Sequence, residues 1–180
     1  MNLLVVYYKL NYMHLDNQLQ FGLEQEERFI EEWGSKEFPD LGFTKHSDIY
    51  NAIDCWVTNR KTGQTQSAQI KVIVPRYHYL DIGVTKKQWE RYLKTVDILY
   101  HISPVAYPDK GIDIELRWAR IKDIKPTPVK TKIGTRYHIS LLDLKPIPLS
   151  EDYQRYLDSE YDKRVRPGEQ AEYRTTKKFK

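Results

Sequence analysis

The stretch AIDCWVTNRKTGQTQSAQIKV, from Ala52 to Val72, decides how this chain is read. It divides into two apolar-alternating runs around the polar segment NRKTGQT, where Gly63 can take the positive φ that a tight turn needs. Side chains on a strand alternate between faces, so Ile53, Cys55, Val57, Ala68, Ile70 and Val72 share one apolar face. The other face receives Asp54, Trp56, Gln69 and Lys71. With the turn centred near Lys61 to Gly63, Asp54 lies opposite or diagonal to Gln69 and Lys71, and such cross-strand neighbours are about 4.5–8 Å apart. An acid, an amide and an ammonium gathered on one side of an otherwise apolar hairpin read as a site.

The chemistry of that site follows from its donors. The Asp54 carboxylate, the Gln69 amide oxygen and the backbone carbonyl of Ile70 are hard oxygen ligands suited to Mg²⁺ or Mn²⁺. An ion there polarises a phosphoryl oxygen, and Lys71 beside it can orient a water or offset charge developing on phosphate. Upstream, FGLEQEERFIEEWGSKEF is predicted to be a helix with Leu23, Glu27 and Ile30 on one side, its end loosened at Gly34 and Ser35. Glu27 lies on that stripe and is therefore the carboxylate expected to reach the hairpin, with Glu24 one turn earlier as its substitute.

Around these elements, LGFTKHSDIYNAIDCWV reads as a loop passing into a strand. VTKKQWERYLKTV reads as a second helix capped by Thr85, with Trp89, Tyr92, Leu93 and Val96 on its buried side, and DILYHIS as a further strand. Ile112 to Ile121 alternates as a strand, KPTPVKTKIGT is a proline- and lysine-rich loop, and TRYHISLLDLKPI is another strand. Leu3 to Leu10 is read as an opening strand. From Ser150 the chain is charged and poor in aliphatic residues, with a short helix over Glu151 to Tyr161 and a basic end expected to be flexible.

A helix with Glu27, a strand with Asp54, a hairpin returning through Gln69-Ile70-Lys71, then a helix and a strand, resembles the PD-(D/E)XK nuclease superfamily. The resemblance covers roughly Phe21 to Ser103. The Gln-x-Lys form is similar to that of Mrr-type restriction nucleases and TnsA-type transposon endonucleases. It implies an α/β fold with a mixed central sheet flanked by helices, in the order αβββαβ, and Mg²⁺- or Mn²⁺-dependent hydrolysis of phosphodiester bonds in DNA, or less often RNA. The implied catalytic residues are Asp54, Gln69, Lys71 and Glu27, and the implied ligands are Asp54, Gln69 and the Ile70 carbonyl. Two departures stand out: the second acid is an amide, Gln69, and Asp54 follows Ile53 rather than a proline. The amide favours a rival reading, a nuclease fold whose site has lapsed and which binds nucleic acid or a protein partner.

On this reading residues 1–104 hold the nuclease-like core, 105–149 a β-rich extension packed on it and 150–180 the charged tail. Arg76, Lys86, Lys87 and Gln88 are expected to contact nucleic acid. QWERY, from Gln88 to Tyr92, is similar to the Q-x-x-x-Y element of RecB-type nucleases, although Tyr92 also suits the core. A homodimer is expected, because cutting a duplex needs two sites.

Composition bounds the alternatives. One cysteine among 180 residues rules out an internal disulfide or a cysteine-based zinc site and fits a reducing cytoplasm. The net charge of +4 permits a polyanionic partner without requiring one. The apolar start is too short to cross a bilayer and lacks the pattern of a signal peptide, so no membrane partner is expected.

Overall fold

A computed structural model describes residues 17–47, 52–73 and 80–165. The expected opening strand Leu3 to Leu10, Arg76 and the basic residues beyond Val165 lie outside them. The described part is mixed α/β: a six-stranded mixed sheet, a smaller three-stranded sheet, and helices on both faces of the larger one.

Helix α1 spans residues 17–37 and widens into a π stretch over Phe29–Trp33. Gly34 does not end the helix, because it serves packing: a Cβ there would meet the Phe43 ring at 2.8 Å and the Phe29 carbonyl at 2.9 Å. Strands β1 (Leu41–Lys45), β2 (Cys55–Asn59) and β3 (Thr65–Val72) follow as an antiparallel meander. The segment expected as a loop before the hairpin thus contains β1, paired along its whole length with β2. The β2–β3 turn is held by Asn59, whose side-chain oxygen accepts the amides of Lys61 at 2.9 Å and Thr62 at 3.1 Å. Gly63 sits in it at φ 72°.

Strand β4 (Asp81–Thr85) leads into α2 (Lys86–Thr95), and β5 (Ile98–Ser103) returns parallel to β3. Strand β6 (Glu115–Arg120) joins β5, and β9 (Lys145–Pro148) closes the far edge, giving the order β1-β2-β3-β5-β6-β9. Between them β7 (Thr127–Thr131) and β8 (Gly134–Ser140) form a hairpin that pairs with β4. Its first strand is the segment expected to be a loop. Every β7 residue is exposed, so the strand exists by backbone pairing to β8 and leaves no apolar alternation to read. Helix α3 (Glu151–Arg164) completes the fold.

Two cores flank the large sheet. On one face α1 and α3 bury Phe21, Phe29, Tyr153, Leu157 and Tyr161 against Cys55, Val57, Ala68, Ile70 and Val72. The start of the 150–180 segment is therefore core rather than flexible tail, because its tyrosines supply the apolar surface that its few aliphatic residues do not. On the other face α2 and the small sheet bury Trp89, Tyr92, Ile82, Val84 and Ile139 against Leu99. Ile53 joins this second core and not the face of Cys55 and Val57, because it precedes β2 and escapes the strand alternation. Among the described residues no helix is long and apolar enough to cross a membrane.

Candidate functional site

The site forms where β2 stops and β3 continues. Cys55 pairs with Ala68, and the Asp54 amide donates to the Ala68 carbonyl at 2.9 Å, which puts Asp54 beside Gln69. Past that point the β2-facing amides of β3 have no strand to bond, and buried backbone groups need partners. Two carboxylates take β2's place. Asp54 Oδ2 accepts the Ile70 amide at 2.8 Å, and Glu26 Oε1 accepts the Val72 amide at 3.2 Å. The Ile70 carbonyl lies along the chain between these two anchored amides.

The other two hairpin side chains close on the same carboxylates. Gln69, 3 % exposed, donates its amide nitrogen to Asp54 Oδ2 and, at 3.3 Å, to the Ile70 carbonyl. Lys71 Nζ lies 3.5 Å from Glu26 Oε1. Tyr92 of α2 is buried close enough for its phenol to feel Lys71, Asp54 and Glu26.

The electrostatics are those of two acids and one base taken partly out of water. Burial pushes the Glu26 carboxyl up to about 7, with Asp54 adding to the rise and Lys71 and the Val72 amide opposing it. Burial also raises Asp54, against the pull of Lys71 and the hydrogen bonds from Ile70 and Gln69. For Lys71 burial disfavours the ammonium, yet Glu26, Tyr92 and Asp54 outweigh it and hold the group above its ordinary range. Lys71 is therefore an ammonium at neutral pH, a donor and a positive charge rather than a base.

The helical carboxylate that meets the hairpin is Glu26, not Glu27. Glu27 is exposed and pairs with Lys45, while Glu24 binds Arg164 of α3, with one N–O distance of 2.8 Å. The stripe Leu23–Glu27–Ile30 is not the buried one, since Leu23 is 56 % exposed and Phe21, Gln25 and Phe29 are fully buried. The feature of the sequence that sits at this contact is Gly22, a turn before Glu26, where a Cβ would come within 2.6 Å of the Val72 carbonyl. A residue with no side chain marks where the helix touches β3.

The expected nucleic-acid contacts fare differently. Lys86 and Lys87 are exposed at the start of α2, Lys86 with Glu90 at 3.8 Å. Gln88 is a helix cap: its side chain accepts the Thr85 amide at 2.9 Å while its own amide donates to Thr85 Oγ1 at 3.1 Å. Arg76 lies outside the described residues. Cys55 is buried and its thiol pushed up to about 12, which makes it unsuited to nucleophilic work.

Oxygen donors set what the site can hold. Among the described residues no three His, Cys, Asp or Glu side chains group to bind a metal. The donors available are the carboxylates of Asp54 and Glu26 and the Ile70 carbonyl, a set that fits one hard divalent cation. Gln69 turns its nitrogen inward, so ligation through its oxygen requires the amide to turn over. No family model and no curated protein matches this chain, and the reading of the site rests on its geometry.

Proposed function

We propose that this chain is a metal-dependent nuclease of restriction-endonuclease-like fold that hydrolyses phosphodiester bonds in DNA. The observation that carries the reading is the pair of carboxylates, Asp54 and Glu26, bound to the alternate edge amides of Ile70 and Val72 with Lys71 alongside. An αβββαβ order runs through α1, β1, β2, β3, α2 and β5, with β4 inserted before α2. Asp54, Glu26 and the Ile70 carbonyl would hold Mg²⁺ or Mn²⁺, joined by Gln69 once its amide has turned. Such an ion supplies charge stabilisation at the phosphate and lowers the pKa of a bound water. Lys71, fixed by Glu26, donates to the attacking water or to a phosphate oxygen, and its charge offsets the negative charge that develops on the phosphate oxygens. Two such sites cut a duplex, which makes a homodimer the working form.

A second reading is favoured by one specific observation. Gln69 satisfies Asp54, and Lys71 lies against Glu26, so the charged groups already have protein partners. A nuclease fold whose site has lapsed would look the same and would bind nucleic acid or a protein without cutting.

Incubation with labelled linear, branched and single-stranded DNA in Mg²⁺ or Mn²⁺, beside Asp54→Ala and Lys71→Ala, separates the two. A nuclease loses cleavage in both variants, and its unfolding temperature rises with the cation in the parent but not in Asp54→Ala. No cleavage on any substrate, with no cation effect on unfolding, establishes the lapsed site instead.

A further inference from the structure

Of the chain's four tryptophans, three are absorbed by the two cores: Trp33 and Trp118 pack against one, and Trp89 belongs to the other. Trp56 belongs to neither and is 39 % exposed. Its place is informative. Trp56 is two residues beyond Asp54, about 7 Å along the chain. Its cross-strand neighbours are small: Thr44 on β1, which is exposed, and Ser67 on β3, whose hydroxyl is turned into bonds with the Thr95 carbonyl at 2.9 Å and Asp97 at 3.0 Å. Neither neighbour is large enough to cover an indole. Among the described residues the ring beside it is His46, 5.9 Å away between centroids and tilted by 41°. The His46 amide donates to the Asp54 carbonyl at 2.8 Å, which ties that ring to the strand bearing the candidate site.

An indole left open one strand step from a phosphate-handling site has a natural ligand in the base attached to that phosphate. Stacking on an aromatic face requires a base whose own face is accessible, and inside an intact duplex both faces are taken by neighbouring bases. We propose that Trp56, flanked by His46, is a stacking platform for an unpaired nucleobase, and that the chain's substrate is DNA with unpaired nucleotides next to the phosphate to be cut, such as a single strand, a flap or an open junction. This rests on the nuclease reading for its position but not for its test. Trp56 is a positioning residue: it holds the base, and the chemistry belongs to Asp54, Glu26 and Lys71.

The experiment uses the full chain in a metal-free, chelator-containing buffer, where binding is read without cutting. Fluorescence anisotropy compares labelled oligothymidylate with a duplex of the same length for the parent, Trp56→Ala and Trp56→Phe. Removal of one stacking ring weakens single-strand binding by about 5- to 150-fold in Trp56→Ala. Trp56→Phe keeps most of the affinity, and duplex binding is the same in all three. Single-strand affinity unchanged in Trp56→Ala, or lost equally for duplex and single strand, overturns the proposal. Asp54-dependent cleavage alongside an inert Trp56 would leave the nuclease standing without the platform. Trp56-dependent single-strand binding without cleavage on any substrate would leave the platform without the nuclease.

Discussion

Glu26 is the residue whose chemistry is most exposed to test, because its ordinary value and its folded value bracket accessible pH. The free carboxyl titrates near 4.5, and burial takes it to about 7 in the folded chain. Between those values the folded protein holds a proton that the unfolded chain has released. Folding stability in metal-free buffer must therefore fall as pH rises through that window and level off above about pH 7, with a slope approaching ~1.4 kcal/mol per pH unit for one proton. Lys71 and Asp54 are the charged groups that act on it, and Lys71 moderates the loss. Denaturant unfolding across this range should show the slope in the parent and a clearly flatter one in Glu26→Gln, which keeps an acceptor for the Val72 amide. Some slope survives in the variant, because Asp54 is raised by burial as well. An identical slope in both proteins would remove Glu26 from the buried site. The sequence could not single this glutamate out. Asp54 and Gln69 were legible because strand alternation and a glycine turn fix a register, whereas a helix rich in glutamates offers several stripes, and only the π stretch and the contact at Gly22 choose between them.

At the scale of elements, the site depends on how closely α1 lies against the end of β3. Helix propensity and close approach make opposite forecasts for Gly22→Ala. In an exposed helix the change is worth up to about 1 kcal/mol of added stability. Here the new Cβ would stand 2.6 Å from the Val72 carbonyl oxygen, a backbone atom of a paired strand that cannot swing aside. Overpacking of that kind costs roughly 1–3 kcal/mol, so the sign reverses and the variant is less stable. The shift needed to relieve the clash moves α1 away from Val72, whose amide is the anchor of Glu26 one turn along. Denaturant midpoints should fall, and under conditions where the variant is folded its cleavage should fall as well; a stabilised Gly22→Ala would show that α1 is not pressed onto β3. The elements that could be read in advance were those with a strong period: the β2–β3 hairpin, α2 with its Thr85 cap, β5 and β6. Those that could not were held by partners rather than by their own pattern. Strand β1 is half-buried beside β2, β7 is exposed throughout, and α3 buries tyrosines in place of leucines.

For the whole molecule, the distribution of charge matters more than the modest total of +4. From Ile124 to Leu142 the chain carries Lys125, Lys130, Lys132 and Arg136 and not one Asp or Glu. Most of that run is the β7–β8 hairpin, in which Lys130 and Lys132 are exposed. Arg136 lies flat over β4, its Nη2 donating to the Gly83 carbonyl at 3.2 Å, and its register partner Thr85 directly precedes Lys86 and Lys87. The hairpin, with Arg136 on one face and Lys130 on the other, and the start of α2 both lie on the side of the large sheet that Gln69 and Lys71 face. A polyanion bound there releases counterions in proportion to the phosphates it loses to cations, and the slope of log affinity against log salt reports that number at about 0.9 per contact on duplex DNA. Replacing Lys130 and Lys132 together by glutamine should make the slope shallower by about 1–2 and weaken binding at low salt, without regard to sequence. Cleavage at saturating DNA should be unchanged, since neither lysine belongs to the group of Asp54, Glu26 and Lys71. A single-stranded probe should lose affinity along with the duplex, because the field acts on phosphates and not on bases. An unaltered salt slope would mean that the hairpin stands clear of the nucleic acid, and the basic surface would then have to be sought at the start of α2 alone.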